Sequence, residues 1–286
     1  MRTAVFTVTY PAAAPFWKDF ITSLRSQSDQ EFELLIVNDG CSCLPDPQVG
    51  LGTSVRDESG TAAYLRKVGI EWARVNGFDI VVFADADDWC DTERVKTAKK
   101  RLRGVELFVN DLVLFGDTIE APVFLLNSRF KEDQSITAGD LRNSNCLGLS
   151  NTSARVNTVS GIAKNIPDDQ IAFDWALFAS CVIAGGRALY SGETRTHYRQ
   201  HSSNIAGLCR YDAPNIMRGV RIKVQQYALL REVNPWYKKR LGRFQDLYSR
   251  LETNLAFRQS YCDRIRERAG PSYLLWWEHI RLESEL

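Results

Sequence analysis

Phe78-Asp79-Ile80-Val81-Val82-Phe83-Ala84-Asp85-Ala86-Asp87-Asp88-Trp89 is the stretch that decides the fold. Ile80–Phe83 is a short apolar, β-rich run and reads as a buried strand. Asp85, Asp87 and Asp88 follow it directly. A buried strand that ends in acids holds them at the rim of a sheet. In open α/β sheets, ligands bind at the carboxyl ends of the strands. Asp85 and Asp87 are two residues apart and share one side of an extended chain. Such a pair suits a hard divalent cation shared with phosphate oxygens. The bland alternative makes these acids turn residues or caps, with Asp88 or Asp91 capping a helix from about Thr92.

Upstream of this strand, Ala4–Thr9 alternates apolar residues with Thr and reads as a first strand. Pro11–Pro15 breaks it, and Phe16–Ser26 has a helical apolar period. Glu33–Val37 is a second strand, ending in the turn Asn38-Asp39-Gly40. Ser54 and Val55 belong to a third. Gly60–Asn76 reads as a helix, with Gly77 as its C-terminal stop. This alternation predicts an α/β fold with a largely parallel sheet and helices on both faces.

Downstream, Thr92–Arg103 reads as a helix. Leu107–Phe115 and Val123–Leu126 are closely spaced strands, expected to be antiparallel. A strand is expected at Cys146–Leu149, a helix over Asp168–Ala184 and a strand at Ala188–Tyr190. From Asp212 the pattern is helical, divided at Pro235. Leu241, Phe244, Tyr248, Leu251 and Leu255 form an amphipathic seam, for a helical hairpin or a homodimer. Tyr273–Trp277 leaves two readings open: packing onto its own domain, or peripheral membrane contact beside the basic C-terminal helices.

The 286 residues suffice for one large domain or a domain with an appendage. With 44% hydrophobic and 25% charged residues, the composition is that of an ordinary soluble protein. No apolar run reaches the roughly 18 residues of a membrane span. The first residues lead directly into a strand, so no secretion signal is expected. The seven scattered cysteines lack zinc-ligand spacing. They read as reduced, semi-buried residues, which fits a cytoplasmic location. Residues 1–204 carry 21 basic against 26 acidic side chains, and residues 205–286 carry 15 against 9. This asymmetry suggests an acidic partner for the tail or a solvated helical face, and the interleaving of its basic residues with acids favours the second. No nucleic-acid motif accompanies them, so no nucleic-acid partner is expected.

With the strands placed, the chain resembles the family 2 glycosyltransferases of the GT-A fold over about residues 3–205. The matching pieces occur in order: Val8-Thr9-Tyr10-Pro11; Val37-Asn38-Asp39-Gly40; Arg66-Lys67-Val68-Gly69-Ile70; Ala84-Asp85-Ala86-Asp87-Asp88; Asp174-Trp175; and Tyr198-Arg199-Gln200-His201. No single piece is specific, but the ordered set is. There are departures. Asn38 stands where the family more often has Asp, Cys41-Ser42-Cys43 replaces Ser-x-Asp, and Lys67 replaces Asn. Phe173 occupies the place of an acid before Asp174, so Asp168 and Asp169 remain alternatives to it as catalytic base.

The resemblance implies a GT-A domain over residues 1–205, with a nucleotide-binding half (1–105) and an acceptor half (106–205), followed by a helical region over 206–286. It implies metal-dependent, inverting transfer of a sugar from a nucleotide-diphosphate donor, most often a UDP-sugar, to a hydroxyl of a glycan or glycoconjugate. Thr9, Pro11, Asp39, Arg66, Lys67, Asp85, Ala86 and Arg199 are the implied donor-binding residues. Asp87, Asp85 and His201 are the implied ligands of Mn²⁺ or Mg²⁺, and Asp174 is the implied base. Trp89 and Trp175 are candidates for stacking on a sugar or for the core. Two other classes compete. A nucleotidyltransferase would need a Gly-rich, basic loop after the first strand, and Tyr10–Pro15 has neither. A non-catalytic GT-A-like binding module would not need Asp85, Asp87 and Asp174 together.

Overall fold

The computed structural model describes residues 1–42, 44, 52–116, 119, 122–201, 211–269 and 276–286. Within these, ten strands form one sheet: β1 (Thr3–Thr9), β2 (Glu33–Asn38), β3 (Gly52–Asp57), β4 (Ile80–Phe83), β5 (Trp89–Cys90), β6 (Leu107–Phe115), β7 (Val123–Phe124), β8 (Ser135–Ile136), β9 (Thr152–Arg155) and β10 (Ala188–Arg199). The helices are α1 (Trp17–Arg25), α2 (Ala62–Val75), α3 (Arg94–Arg101), α4 (Val156–Ala163), α5 (Phe173–Ile183), α6 (Ala213–Leu230), α7 (Pro235–Thr253) and α8 (Leu255–Ala269).

The strand order is β3-β2-β1-β4-β9-β6-β10-β5, with β7 beside β6 and β8 beside β10. The first four strands are parallel. β2 and β3 lie on one side of β1 and β4 on the other, so the strand order reverses between β1 and β4. Such a reversal opens a crevice at the strands' carboxyl ends. β9 is antiparallel to both β4 and β6, which ties the parallel half to the rest of the sheet. β7 is antiparallel to β6, as their spacing suggests.

Side-chain alternation along the strands builds two apolar layers. Val5, Leu34, Ile36, Ile80 and Val82 pack with Phe20 and Leu24 of α1 and Val95 of α3. Phe6, Leu35, Val37, Val81 and Phe83 face the opposite way, toward Leu65 and Ile70 of α2 and Phe178 of α5. This second layer continues into Ile216, Tyr227, Phe244 and Tyr261 of the C-terminal helices. α2 starts at Thr61, whose hydroxyl accepts the Tyr64 N–H at 3.2 Å. It stops where Gly77 takes a left-handed φ of 72°. The Gly77 and Phe78 N–H groups then close back onto the Arg74 and Ala73 carbonyls.

Several expectations need correction. Cys146–Leu149 is loop, and the strand lies later, at β9. Asn145 and Asn151 explain this: their side chains bond the backbone at Leu147 and Cys146, in place of ladder partners. β10 runs on to Arg199, past an irregularity between Ser191 and Arg195. α4 was not among the expected helices, although its buried residues Val156, Val159, Ser160 and Ala163 fall at helical spacing. Neither Asp88 nor Asp91 caps α3, which has no side-chain cap. Leu255 is outside the α7 seam, because Asn254 ends that helix, and it is 70% exposed. Trp277 is buried against Trp175, their rings 4.8 Å apart, and so is packed onto its own domain rather than offered to a membrane. Tyr273–Leu275, Cys43 and Cys209 lie outside the described residues. The other five cysteines are free. Among the described residues, no helix is long and apolar enough to cross a membrane.

Candidate active site

The carboxyl ends of β1, β2 and β4 meet at a cavity of about 370 Å³. Tyr10 follows β1, Asp39 follows β2, and Asp85 and Asp87 follow β4; all four line it. Arg66 enters from α2 and Asp174 from the first turn of α5. The far wall is more apolar, with Leu112, Leu126, Leu149, Ile222 and Trp277 beside Asn145 and Asn151.

The acids after β4 repel one another in a poorly solvated place. Burial pushes the Asp85 carboxyl up to about 6; the Arg66 guanidinium opposes this, while Asp87 and Asp174 add to it. Asp88 is buried deeper, and burial, Asp87 and Asp85 hold it well above the ordinary carboxylate range. The Ser150 hydroxyl and the Arg199 backbone N–H (2.8 Å) donate to it. Arg94, 1% exposed, lies behind the cluster as a buried countercharge and donates to the Phe83 carbonyl. Asp87 Oδ2 accepts from the Tyr10 hydroxyl at 3.2 Å and lies 3.0 Å from His201 Nε2. Burial and the neighbouring Asp87 push the Tyr10 hydroxyl up, so it remains a donor.

Asp174 Oδ1 accepts the Trp175 N–H at 2.9 Å, and its Oδ2 accepts the Asn145 side-chain amide at 3.1 Å. Burial raises its pKa and Arg66 pulls it back. Asp168 and Asp169 are exposed and do not line the cavity. Arg66 makes no hydrogen bond or ion pair to any described residue, so its guanidinium is available to an anion.

Other residues singled out from the sequence occupy supporting places. Lys67 turns away from the cavity to Asp168, at 2.5 Å, and to the Ile166 carbonyl. Arg199 donates to the Asp87 carbonyl at 3.0 Å and to Asp19 at 2.7 Å, between the rings of Phe16 and Phe115. It locks the end of β10 onto the acid turn. Thr9 is buried with its hydroxyl beside Cys41 Sγ, Pro11 opens an exposed 3-10 turn, and Ala86 is fully buried. None of Thr9, Pro11, Lys67, Ala86, Arg199 and His201 lines the cavity. Asn38 donates to Asp57 and to the Cys41 carbonyl, and so shapes the turn that presents Asp39. Trp175 is fully buried, and one face of Trp89 is covered by His197, with ring centroids 3.4 Å apart, so Trp175 is core and Trp89 is packed. Asn145 and Asn151 join the site without a signal in the linear sequence, Tyr10 with only its place in Val8-Thr9-Tyr10-Pro11, and Trp277 with only the aromatic run Tyr273–Trp277. Cys146 also lines the cavity, but burial pushes its thiol up to about 12, which excludes a thiolate nucleophile at neutral pH.

Among the described residues, no three His, Cys, Asp or Glu side chains converge as a ready-made metal centre. Asp87 and His201 do converge, and Asp85 stands beside them on the cavity wall. That donor set fits a hard cation that takes its remaining ligands from phosphate and water, as Mg²⁺-type sites do.

No family model and no curated protein matches this chain. Solved structures do. TarS 1–349 of S. aureus, in complex with UDP-GlcNAc, superposes with a TM-score of 0.63 at 16% identity, over 86% of this chain and 72% of that one. The mannosyltransferase PcManGT of Pyrobaculum calidifontis, with GDP-Man and Mn²⁺, gives 0.58 at 13% identity, over 97% and 85%. GalNAc-T7 with UDP, GalNAc and Mn²⁺ gives 0.55 at 9% identity, over 78% and 47%. At these identities the likeness concerns the backbone, and the sheet order and crevice agree with it: this chain has the GT-A glycosyltransferase fold.

Proposed function

We propose that the protein is a metal-dependent, inverting glycosyltransferase that moves a sugar from a nucleotide-diphosphate donor, a UDP-sugar first among them, to a hydroxyl of a glycan or glycoconjugate. One observation carries this reading: Asp39, Arg66, Asp85, Asp87 and Asp174, from four separate elements, line a single cavity at the switch point of the sheet. The nucleotide-sugar complexes of TarS and PcManGT on the same fold support it.

Each group has a task. Asp39 accepts a hydrogen bond from the nucleoside. Arg66 faces the diphosphate and takes up charge as it departs. Asp87 and His201, with Asp85, would hold Mn²⁺ or Mg²⁺, which when bound neutralises the leaving diphosphate as a Lewis acid. Asp174 takes the proton of the acceptor hydroxyl as its oxygen bonds to the anomeric carbon and the bond to the diphosphate oxygen breaks. The attack comes from the side opposite the leaving group, so the anomeric centre inverts. Tyr10 and Asn145 hold the carboxylates in place by donating to Asp87 and Asp174.

The test is release of nucleoside diphosphate from a panel of nucleotide sugars in Mn²⁺, Mg²⁺ or EDTA, with water as acceptor. Release is expected only with metal and is lost in Asp87→Ala. Asp174→Asn lowers it by about 10²–10⁴, the usual worth of a positioned base. Asp174 acts ionised, and burial raises its pKa, so the rate climbs with pH through that raised carboxyl range. Silence with every donor, together with no nucleotide binding, would leave the binding-module reading ahead.

A further inference from the structure

The proposed base is held by a loop, and that loop is held by the C-terminal turn. Asn145 donates its side-chain amide to Asp174 Oδ2 at 3.1 Å. The same amide reaches the Leu147 carbonyl at 3.0 Å, and its oxygen accepts the Leu147 N–H at 3.1 Å, so the side chain has one orientation. Its backbone N–H donates to Glu278 Oε1 at 2.9 Å. Glu278 belongs to the short 3-10 turn Trp276–His279 and is 1% exposed. Asn145 and Glu278 are 133 residues apart in sequence, so this bond links the helical C-terminal region directly to the cavity.

A buried carboxylate is costly unless hydrogen-bonded and charge-compensated. Lys223 of α6 lies near enough for Glu278 to hold its pKa up, against the burial that pushes it well down. Its ammonium lies over the rings of Trp175 and Trp277 at 5.0 and 5.3 Å and donates to the Asn143 carbonyl. Arg281, just past the turn, adds a cation and donates to the Glu278 carbonyl. A buried carboxylate, Glu278, and a buried lysine, Lys223, are thus kept where apolar side chains would pack at less cost. Their shared consequence is to pin residues 143 and 145, at the start of the loop that walls the cavity.

We infer that Glu278 is a positioning residue: through the Asn145 backbone it sets where the Asn145 amide, and so the Asp174 carboxylate, stands in the cavity. The C-terminal turn is then part of the catalytic apparatus rather than an appendage. This rests on Asp174 being the base.

Glu278→Ala and Glu278→Gln of the full chain test it. Gln keeps an oxygen for the Asn145 N–H, and Ala does not. In Glu278→Ala, kcat for donor hydrolysis should fall by about 100-fold, the cost of roughly 1 Å of misplacement. KM for the donor should stay near the wild-type value, because Asp39 and Arg66 are untouched. Glu278→Gln should recover most of the loss. An equal fall in both variants, or a loss expressed in donor KM, overturns the inference, since a general loss of structure would give that. Should the wild type hydrolyse no donor and bind no nucleotide, the transferase reading fails by itself. The relay is then judged by the Asp174 side-chain ¹³C carboxyl resonance, assigned with Asp174→Asn. A resonance shifted in Ala and restored in Gln supports the relay, and one unmoved in both overturns it.

Discussion

At the scale of the residue, the site is a set of carboxylates that the fold holds against their own preference. Asp85 shows the sign of this cost. Its folded pKa of about 6 lies above the 3.8 of a free side chain. Below about pH 4 both states are protonated there and Asp85 costs nothing. Between the two values the folded state holds a proton that the unfolded state has lost, so stability falls as pH rises; above about 6 the penalty stays at its full value. That value is up to about 3 kcal/mol for a shift of this size. Asp85→Asn, measured in EDTA, should therefore melt a few degrees higher than wild type at pH 8 and at the same temperature at pH 4. Equal melting temperatures at pH 8 would show that Asp85 is solvated. The stabilised variant should also lose metal-dependent donor hydrolysis, because the strain belongs to the function.

At the scale of the element, α2 brings Arg66 to the cavity and must lie close to β1 to do so. Gly69 permits this. A Cβ at position 69 would fall on the ring carbons of Phe6, which is itself buried in the β1 layer. Gly69→Ala gains helix propensity and loses more to overpacking, so it should destabilise by about 1–3 kcal/mol in urea unfolding. Neutral or positive behaviour would mean that Phe6 has room to turn aside. The same position appears in the sequence as the Gly of Arg66-Lys67-Val68-Gly69-Ile70. Its neighbours divided in the structure: Arg66 faces the cavity, and Lys67, one residue on, points to Asp168. Leu65 and Arg66 both line the cavity, so it is the pairing with Asp168 and the Ile166 carbonyl that keeps Lys67 out of it.

At the scale of the whole molecule, one apolar layer runs from Phe6 and Phe83 through Trp175 and Phe178 to Ile216, Tyr227 and Phe244. A fragment of residues 1–205 would expose Trp175 and the whole face that α6 covers. A large uncovered apolar face leads to association. The fragment should therefore be insoluble or unfold without cooperativity, while the full chain unfolds in one transition. A soluble fragment with its own sharp transition would establish the boundary near residue 205 as a true domain boundary.

The strands around Asp85 were legible because buried parallel strands are short apolar runs, and the acids after Phe83 had no other plausible neighbours than a rim. Asp39 and Asp87 were legible as acids at strand ends for the same reason, whereas Arg66 was singled out only by the resemblance of Arg66-Lys67-Val68-Gly69-Ile70. Tyr198–His201 could be quoted but not placed, since only the pairing of β10 with β6 and β5 brings Arg199 and His201 onto the acid turn. Lys67 and Arg199 read as free cations in the sequence, because charge pairing across 101 or more residues leaves no local trace. Asn145 and Glu278 were not legible at all, and Trp277 only as part of an aromatic run whose packing was one of two open readings. They sit in loops and turns whose backbone is held by side-chain hydrogen bonds rather than by a periodic pattern. What the chain's sequence determined by itself was the set of short-range choices: which segments alternate, where helices stop, and which strand ends carry acid. What only the tertiary structure decided was which of those charges are paired across the fold, and which distant turn reaches Asp174 through Asn145, because both depend on contacts that exist only once the chain has closed on itself.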